Sequence, residues 1–94
     1  MKKIDLRRNY LLVLDVETIG VDEKLVFDIG FIVADKKGNK YERRSYLVEE
    51  VFTDMTAMSK AYYFNKYPTY IKELAAGVHT LEKWEVILMD MYNL

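Results

Sequence analysis

The amino-acid sequence predicts an α+β fold in which a three-stranded antiparallel meander is followed by helices. A short apolar run at residues 10–14, an alternating segment at residues 25–34 and a helical apolar period in the second half of the chain support this prediction. Because the chain has 94 residues, it has room for one domain. We therefore expect a sheet within residues 10–48 and a helical part within residues 53–94.

Composition narrows the class of protein. Apolar residues make up 51% of the chain, which argues against disorder, and the absence of cysteine excludes disulfide scaffolds and thiolate metal sites. No apolar run approaches the roughly 18 residues of a membrane span, and no signal peptide is evident. We expect a cytoplasmic protein with no membrane partner. The net charge of −1 gives no general attraction to nucleic acid, so such contact would need a local patch or metal ions.

The strands follow from their local patterns. The apolar run at residues 10–14 predicts a strand buried on both faces, which Asp15 and Glu17 extend before a loop at residues 18–24. The second strand is predicted to have one large apolar face, formed by Leu25, Phe27, Ile29, Phe31 and Val33. A polar turn at residues 35–39 then predicts a hairpin. The third strand, over residues 40–48, mixes charged and aromatic residues and is expected to be half-solvated or at an edge.

Helical periodicity begins in the second half of the chain. The spacing of apolar residues predicts a helix over residues 53–67, with Thr53 as its N-cap. Pro68 interrupts this pattern, and a short helix is predicted to run to Ala76 and to end at Gly77.

A last helix is predicted over residues 81–94, with Thr80 as its cap. Its expected apolar stripe consists of Leu81, Trp84, Leu88 and Met91. The helix stays apolar to its end and carries no stop residue. We therefore expect either that the domain is incomplete and the chain continues in a longer protein, or that a partner such as a second copy covers this helix.

Asp15 and Glu17 stand two residues apart at the end of the first strand. Strand periodicity places both side chains on one face, with their Cα atoms roughly 6.5 Å apart. Two carboxylates in this position suit a hard cation such as Mg²⁺, and Asp28 on the second strand is expected to be close to them. The alternative is that these acids cap a loop or face solvent.

The longer string Asp15-Val16-Glu17-Thr18-Ile19-Gly20, placed after an apolar strand, resembles the first motif of the DEDD superfamily of 3′–5′ exonucleases. The form typical of that superfamily is Asp-x-Glu-Thr-x-Gly, and every fixed position matches. The second strand and its hairpin are also similar, so the resemblance covers residues 10–48 well, whereas residues 49–94 match in element order alone. The resemblance implies the N-terminal half of a ribonuclease H-like fold, with a mixed five-stranded sheet in the complete domain.

The resemblance also implies a function and a site. It implies a 3′–5′ exonuclease that hydrolyses terminal phosphodiesters of single-stranded DNA or RNA with two Mg²⁺ or Mn²⁺ ions. Asp15 and Glu17 match the catalytic metal ligands, and Thr18, Ile19 and Gly20 match the residues that border the terminal nucleotide. The superfamily needs two further Asp residues and a His or Tyr base, and no acid in residues 49–94 resembles those motifs. We therefore expect this 94-residue chain alone to be inactive.

Several residues have competing interpretations. His79, the single histidine, is interpreted as a loop residue before a helix rather than as the base. The aromatic cluster that includes Tyr62, Tyr63 and Tyr70 is interpreted as core or partner surface rather than as a base-stacking platform. The Arg7-Arg8 and Arg43-Arg44 pairs are interpreted as solvated.

Two other functions remain open at this point. One is a non-catalytic module that keeps the exonuclease-like strands and forms an oligomer or binds a partner through its apolar last helix. The other is a small α+β regulator unrelated to nucleases. Within the nuclease hypothesis, proofreading, RNA trimming and a phage-encoded activity are all open.

Overall fold

A computed structural model of the chain describes residues 10–20, 25–61 and 64–93. It shows an α+β fold in which a four-stranded mixed sheet, ordered β1-β2-β3-β4, is followed and covered by short helices. The strands are β1 (Tyr10–Thr18), β2 (Val26–Asp35), β3 (Lys40–Val48) and β4 (Thr80–Glu82). The helices are α1 (Glu49–Phe52), α2 (Met55–Met58), α3 (Tyr67–Ala75) and α4 (Trp84–Tyr92), with a 3₁₀ turn at Phe64–Lys66.

The predicted antiparallel meander is confirmed in strands β1 to β3. Alternate residues of β2 are buried, as the sequence pattern predicts. The hairpin into β3 closes through Asp35, whose carboxylate accepts backbone hydrogen bonds from Lys37 and Asn39 at 2.9 Å each. Gly38 adopts φ = 90°, a left-handed conformation that a glycine reaches without steric cost. Local turn chemistry therefore fixes the register of β2 and β3.

The prediction that the first strand is buried on both faces is wrong. Strand β1 lies at an edge of the sheet, and its apolar residues Leu11, Val13, Leu14 and Val16 are about half exposed. A continuous apolar run is typical of a strand that is covered on both faces. Strand β1 instead has a strand neighbour on one side in the part of the chain that the structure describes, which leaves its outer edge open to solvent. Strand β3, predicted as half-solvated or edge, lies instead between β2 and β4.

The single helix predicted over residues 53–67 is replaced by short pieces. Helix α1 begins at Glu49, before the predicted start, and Thr53 ends it by donating a hydrogen bond to the Glu49 carbonyl at 2.7 Å. Asp54 is the actual N-cap of α2, because its carboxylate accepts from the amides of Thr56 and Ala57. These side chains satisfy backbone groups locally and so interrupt a continuous helix.

The next predicted helix is confirmed, and the last one is shifted. Helix α3 runs to Ala75 and contains Pro68 in its first turn, where a proline is tolerated. Gly77 follows it with φ = 80°, as expected for a left-handed stop. The predicted cap Thr80 instead begins β4, which pairs in parallel with β3. The isolated three-residue strand carries no period that a sequence pattern could reveal.

Helix α4 begins at Trp84, three residues after the predicted start. The carboxylate of Glu50 accepts from the Trp84 amide at 2.9 Å and so satisfies one of the free N–H groups of the helix end. Its buried residue is Ile87, flanked by Trp84 and Met91, whereas Leu88 is 45% exposed. The predicted stripe is therefore wrong at Leu88, and Leu81, its first member, lies in β4 rather than in the helix.

Two apolar clusters hold these elements together. One packs α4 against the sheet and contains Ile29, Phe31, Val33, Tyr46, Val48 and Ile87. The other joins the sheet to α1, α2 and α3 and contains Ile19, Phe27, Leu47, Phe52, Met58 and Ala61. None of the helices in the described residues has both the length and the apolarity needed to cross a lipid bilayer.

Candidate active site

The pairing of strands β1, β2 and β3 places the carboxylates predicted from the sequence side by side on the sheet. Glu17 lies directly opposite Asp28, and Asp15 lies opposite Gly30, which in turn lies opposite Ser45. Residues that face each other across neighbouring strands share a face of the sheet. Asp15, Glu17 and Asp28 therefore project from the same face, and the expectation that Asp28 lies near the pair is confirmed.

A cleft of about 260 Å³ lies over this face of the sheet. It is lined by Val13, Asp15, Glu17, Asp28, Gly30, Phe31, Ile32, Arg43, Arg44, Ser45 and His79. The absence of a side chain at Gly30 leaves space between Asp15 and Ser45, since Gly30 separates them in the register. The cleft thus combines carboxylates, the Arg43 guanidinium group, a hydroxyl and an imidazole.

Asp28 is partly buried, and its surroundings shift the pKa of its carboxyl group. Burial raises the pKa of Asp28 above its usual value of 3.8, and a hydrogen bond from the Tyr70 hydroxyl, 3.0 Å from Oδ2, acts in the opposite direction. The charges of Asp15 and Glu73 raise the Asp28 pKa further, while His79 lowers it. Burial and the nearby Asp28 also raise the pKa of Tyr70 well above its usual range. Tyr70 therefore remains a hydrogen-bond donor to Asp28 at neutral pH.

His79 lies in the cleft, which its place in the sequence did not indicate. It is a loop residue as predicted, but it precedes β4 rather than a helix. Its Nδ1 atom lies 2.6 Å from Oγ of Ser45, and its ring packs at 5.7 Å, centroid to centroid, from the ring of Tyr70. Its Nε2 atom is 3.6 Å from Oε1 of Glu73, which is within ion-pair range but beyond hydrogen-bond distance.

The residues after Glu17 have distinct roles in the structure. Thr18 ends β1, and its hydroxyl donates to the Gly20 carbonyl at 3.4 Å. Ile19 as a whole is 1% exposed and belongs to the second apolar cluster, so this position of the string is packed in the core. Its amide is bonded to the Leu25 carbonyl at 2.9 Å, which ties the loop back to the sheet.

The donor set suits a hard cation, but the described residues hold no complete ligand shell. Across residues 10–20, 25–61 and 64–93, no group of three or more Asp, Glu or His side chains is arranged to hold a metal ion. Mg²⁺ nevertheless requires few protein ligands, since one or two carboxylates together with water and substrate phosphates complete its shell. The pair Asp15 and Glu17 therefore fits a weakly held divalent ion.

The remaining interpretations are resolved by packing. Phe64, Tyr67 and Tyr70 pack against the second apolar cluster, which confirms the core interpretation for these three members of the aromatic cluster. Tyr62, Tyr63 and the Arg7-Arg8 pair lie outside the described residues. Arg43 is exposed as predicted, whereas Arg44 is half-buried.

Arg44 binds partners on its own strand and on α4. Its Nε donates to Glu42 at 2.6 Å and its Nη1 donates to the Tyr46 hydroxyl at 3.1 Å. The Tyr46 hydroxyl in turn donates to Asp90 on α4 at 2.8 Å. These bonds hold the Arg44 guanidinium on the α4 side of the sheet, on the face opposite Asp15 and Glu17.

Sequence reasoning did not identify Ser45, Tyr70 or Glu73 as site residues. Ser45 occupies the same strand face as Arg43, and the sequence predicts this because the two residues stand two positions apart in a strand. Its pairing with Gly30, however, requires the strand register, and the contacts of Tyr70 and His79 link segments 42 and 34 residues apart. Comparison of the chain with protein-family models, with curated proteins and with solved structures gave no match.

Proposed function

We propose that this chain is part of a divalent-metal-dependent nuclease of the 3′–5′ exonuclease type, acting on 3′ ends of single-stranded DNA or RNA. The observation that supports this proposal is the placement of Asp15 and Glu17, from the Asp-x-Glu-Thr-x-Gly string, in one cleft with Asp28. Asp15 and Glu17 would hold Mg²⁺ or Mn²⁺, as the resemblance to the DEDD superfamily implies. When bound, such ions supply Lewis acidity and activate water for hydrolysis of a phosphodiester.

The neighbouring residues would prepare the cleft for a charged substrate. Glu17 and Asp28 lie opposite each other on neighbouring strands, so a cation bound between them would offset their negative charges. Tyr70 fixes one oxygen of Asp28 by donating to it. Arg43 lines the same cleft and would attract a phosphate group, while the Thr18–Gly20 turn would border the terminal nucleotide.

Metal binding tests this proposal more directly than turnover, because two carboxylate ligands are expected to hold ions weakly and to support little cleavage. We expect Mn²⁺ titration, followed calorimetrically or by electron paramagnetic resonance, to show binding to the wild-type chain. Asp15→Asn and Glu17→Gln should each weaken it by about tenfold or more, since each removes a ligand. Glu85→Gln, on the exposed first turn of α4, is the matched control and should leave Mn²⁺ affinity unchanged.

Equal Mn²⁺ affinity in the wild type and in Asp15→Asn would contradict the proposal. A second measurement uses a single-stranded oligonucleotide labelled at its 5′ end. The longest form of the protein that the gene encodes should shorten this oligonucleotide from its 3′ end in the presence of Mn²⁺. An undegraded oligonucleotide would contradict the assignment as a nuclease.

A second candidate function is self-association, and the exposed edge strand favours it. Strand β1 is nine residues long, carries half-exposed Leu11 and Val13, and contains neither Pro nor Lys between Tyr10 and Thr18. Such an edge pairs readily with another strand, and a second copy of this chain would present the same edge around a two-fold axis.

Sedimentation velocity separates the two candidates. We expect a dimer of the wild-type chain, and Val13→Lys should yield a monomer because it places a charge on the exposed edge. Lys substitution at the exposed Met89 of α4 is the control, since α4 was the interface expected from the sequence. A monomeric wild-type chain would exclude this function.

A further inference from the structure

A row of polar side chains, formed by Ser45, His79 and Glu73, begins in the cleft beside the carboxylates and continues to α3. Oγ of Ser45 lies 2.6 Å from Nδ1 of His79, and Nε2 of the same ring lies 3.6 Å from Oε1 of Glu73. We propose that this row is a second catalytic site, in which Ser45 is a nucleophile, His79 is its general base and Glu73 is a positioning residue. The substrate class is a small carboxylic ester.

The burial of His79 supports a role beyond packing. Its side chain is 10% exposed, and Nε2 has no hydrogen-bond partner within the described residues. A buried polar atom without a partner costs free energy, so its retention calls for a physical explanation. Ser45, in contrast, is half-buried and lines the cleft, so a small molecule can approach its hydroxyl.

The position of Glu73 determines which ring nitrogen carries the proton. A proton on Nε2 faces the Glu73 carboxylate and is attracted to it, whereas a lone pair on Nε2 would face another electron-rich atom. The neutral ring therefore carries its proton on Nε2 and leaves Nδ1 free to accept the hydrogen bond from Ser45. The 3.6 Å separation is longer than a hydrogen bond, as is common for catalytic contacts before the substrate binds.

The local chain path holds the three residues in this arrangement. Ser45 is on the central part of the sheet in β3, and Glu73 is on α3. The turn after α3 brings His79 back to the sheet, because the Val78 amide bonds to the Glu73 carbonyl at 2.9 Å and Gly77 takes a left-handed conformation. A nucleophile on β3, a base on the loop before β4 and an orienting carboxylate on α3 form the arrangement that activates a hydroxyl.

The proposed reaction uses groups that are already present in the cleft. Oγ of Ser45 attacks the ester carbonyl carbon, a new C–O bond forms, and the hydroxyl proton moves to Nδ1 of His79. The C–O bond to the leaving alcohol then breaks, and His79 returns the proton to that oxygen. Water hydrolyses the acyl-serine with the same base. Arg43, two residues before Ser45 on the same strand face, would stabilise the negative charge on the carbonyl oxygen.

Covalent labelling with a fluorophosphonate probe tests the nucleophile. Serine attack forms a P–O bond, breaks the P–F bond and releases fluoride, and the proton goes to His79. The chain contains two serines, so Ser59, whose hydroxyl donates to the Thr56 carbonyl, is an internal control. We expect peptide mapping of the full chain in EDTA to find the label on Ser45 at least tenfold more often than on Ser59. The label should disappear from that peptide in Ser45→Ala.

Equal labelling of the two serines, or no label on Ser45, would overturn the proposal. The EDTA condition separates this outcome from failure of the metal-dependent nuclease, which requires an ion. His79→Ala should slow labelling at least tenfold, and its circular dichroism spectrum reports whether the variant is folded.

A spectroscopic measurement on the wild-type chain needs no variant. Because His79 is the single histidine, a long-range ¹H–¹⁵N correlation spectrum reports its tautomer without ambiguity. We expect the proton on Nε2 in the wild type and a mixture of tautomers in Glu73→Ala. A proton on Nδ1 in the wild type would overturn the proposal, since Nδ1 could then not accept the Ser45 proton.

Discussion

Strands β1 and β2 lie side by side and are both strongly apolar, yet they contribute to the molecule in different ways. Leu14 and Phe31 are register partners, but Phe31 is 1% exposed and Leu14 is 50% exposed. Strand β2 has paired strands on both sides, whereas β1 has one on a single side within the described residues. The comparison shows that position in the sheet, more than apolar content, determines how much a residue is buried.

Truncating these two register partners is the strongest test of the comparison. We expect Phe31→Ala to lower the free energy of unfolding by about 3–5 kcal/mol, because it opens a cavity among buried residues. Leu14→Ala should cost less than about 1 kcal/mol, since half of its side chain already contacts solvent. Urea denaturation of both variants gives the values. Similar losses would mean that β1 is covered in solution, as it would be in a dimer.

Substitution of Asp28, on the cleft side of β2, is expected to change stability less than Phe31→Ala and in the opposite direction. Its folded-state pKa is raised above 3.8, so the native state penalises its charged form. Because the unfolded chain keeps the ordinary pKa, this penalty is present above the folded pKa and shrinks as the pH falls toward 3.8. Asp28→Asn removes the charge and keeps an acceptor for Tyr70, so its melting temperature at pH 7 should exceed that of the wild type.

Asp15→Asn is the control for that measurement, because Asp15 is an exposed acid on the neighbouring edge strand. It should change the melting temperature less than Asp28→Asn does. An unchanged or lower melting temperature for Asp28→Asn would show that the Asp28 charge is compensated in solution, for example by a bound cation.

The smallest expected effect on stability comes from substitution of Asp35, the last residue of β2, which lies opposite Tyr10 of β1. Hydrogen bonds from the Asn39 side chain and from the Tyr41 hydroxyl lower the pKa of Asp35 from 3.8 to about 2. A lowered folded pKa stabilises the native state above pH 3.8, and this contribution is lost as the pH falls toward 2. Asp35→Asn should lack this acid-dependent loss when urea midpoints are compared at pH 5 and pH 2.5. A pH dependence equal to the wild type would contradict this account.

Local sequence signals predicted the parts of the fold that local chemistry determines. The bounds of β3, the alternation of β2 and the stop at Gly77 follow from patterns and turn residues within a few positions. The burial of β1 was mispredicted because an apolar run does not specify how many strands flank it. The β4 strand was taken for a helix start because three residues carry too little pattern to compete with a nearby helical period.

The residues of the candidate site also fall into a group that local sequence identifies and a group that depends on tertiary contacts. Asp15 and Glu17 were identifiable because they lie in one short string on one strand, and Asp28 was close to them by its place on the next strand. Ser45, Tyr70 and His79 could not be identified, since their contacts depend on how α3 and β4 return to the sheet. The interpretation of His79 as a structural loop residue was based on the residues next to it in the sequence. Its contacts in the structure are instead with Ser45 and Tyr70, which are distant in the sequence.

The three-residue strand β4 has a consequence for the order in which the molecule folds. Hairpins such as β1–β2 and β2–β3 join segments that are close in sequence and form within microseconds. Pairing of Tyr46 with Thr80 requires closure of the long intervening chain, which must await the helices that this chain contains. We therefore expect the amides of β4 to gain protection from hydrogen exchange last. Ser45, on an early-forming strand, would acquire its histidine neighbour in that final step.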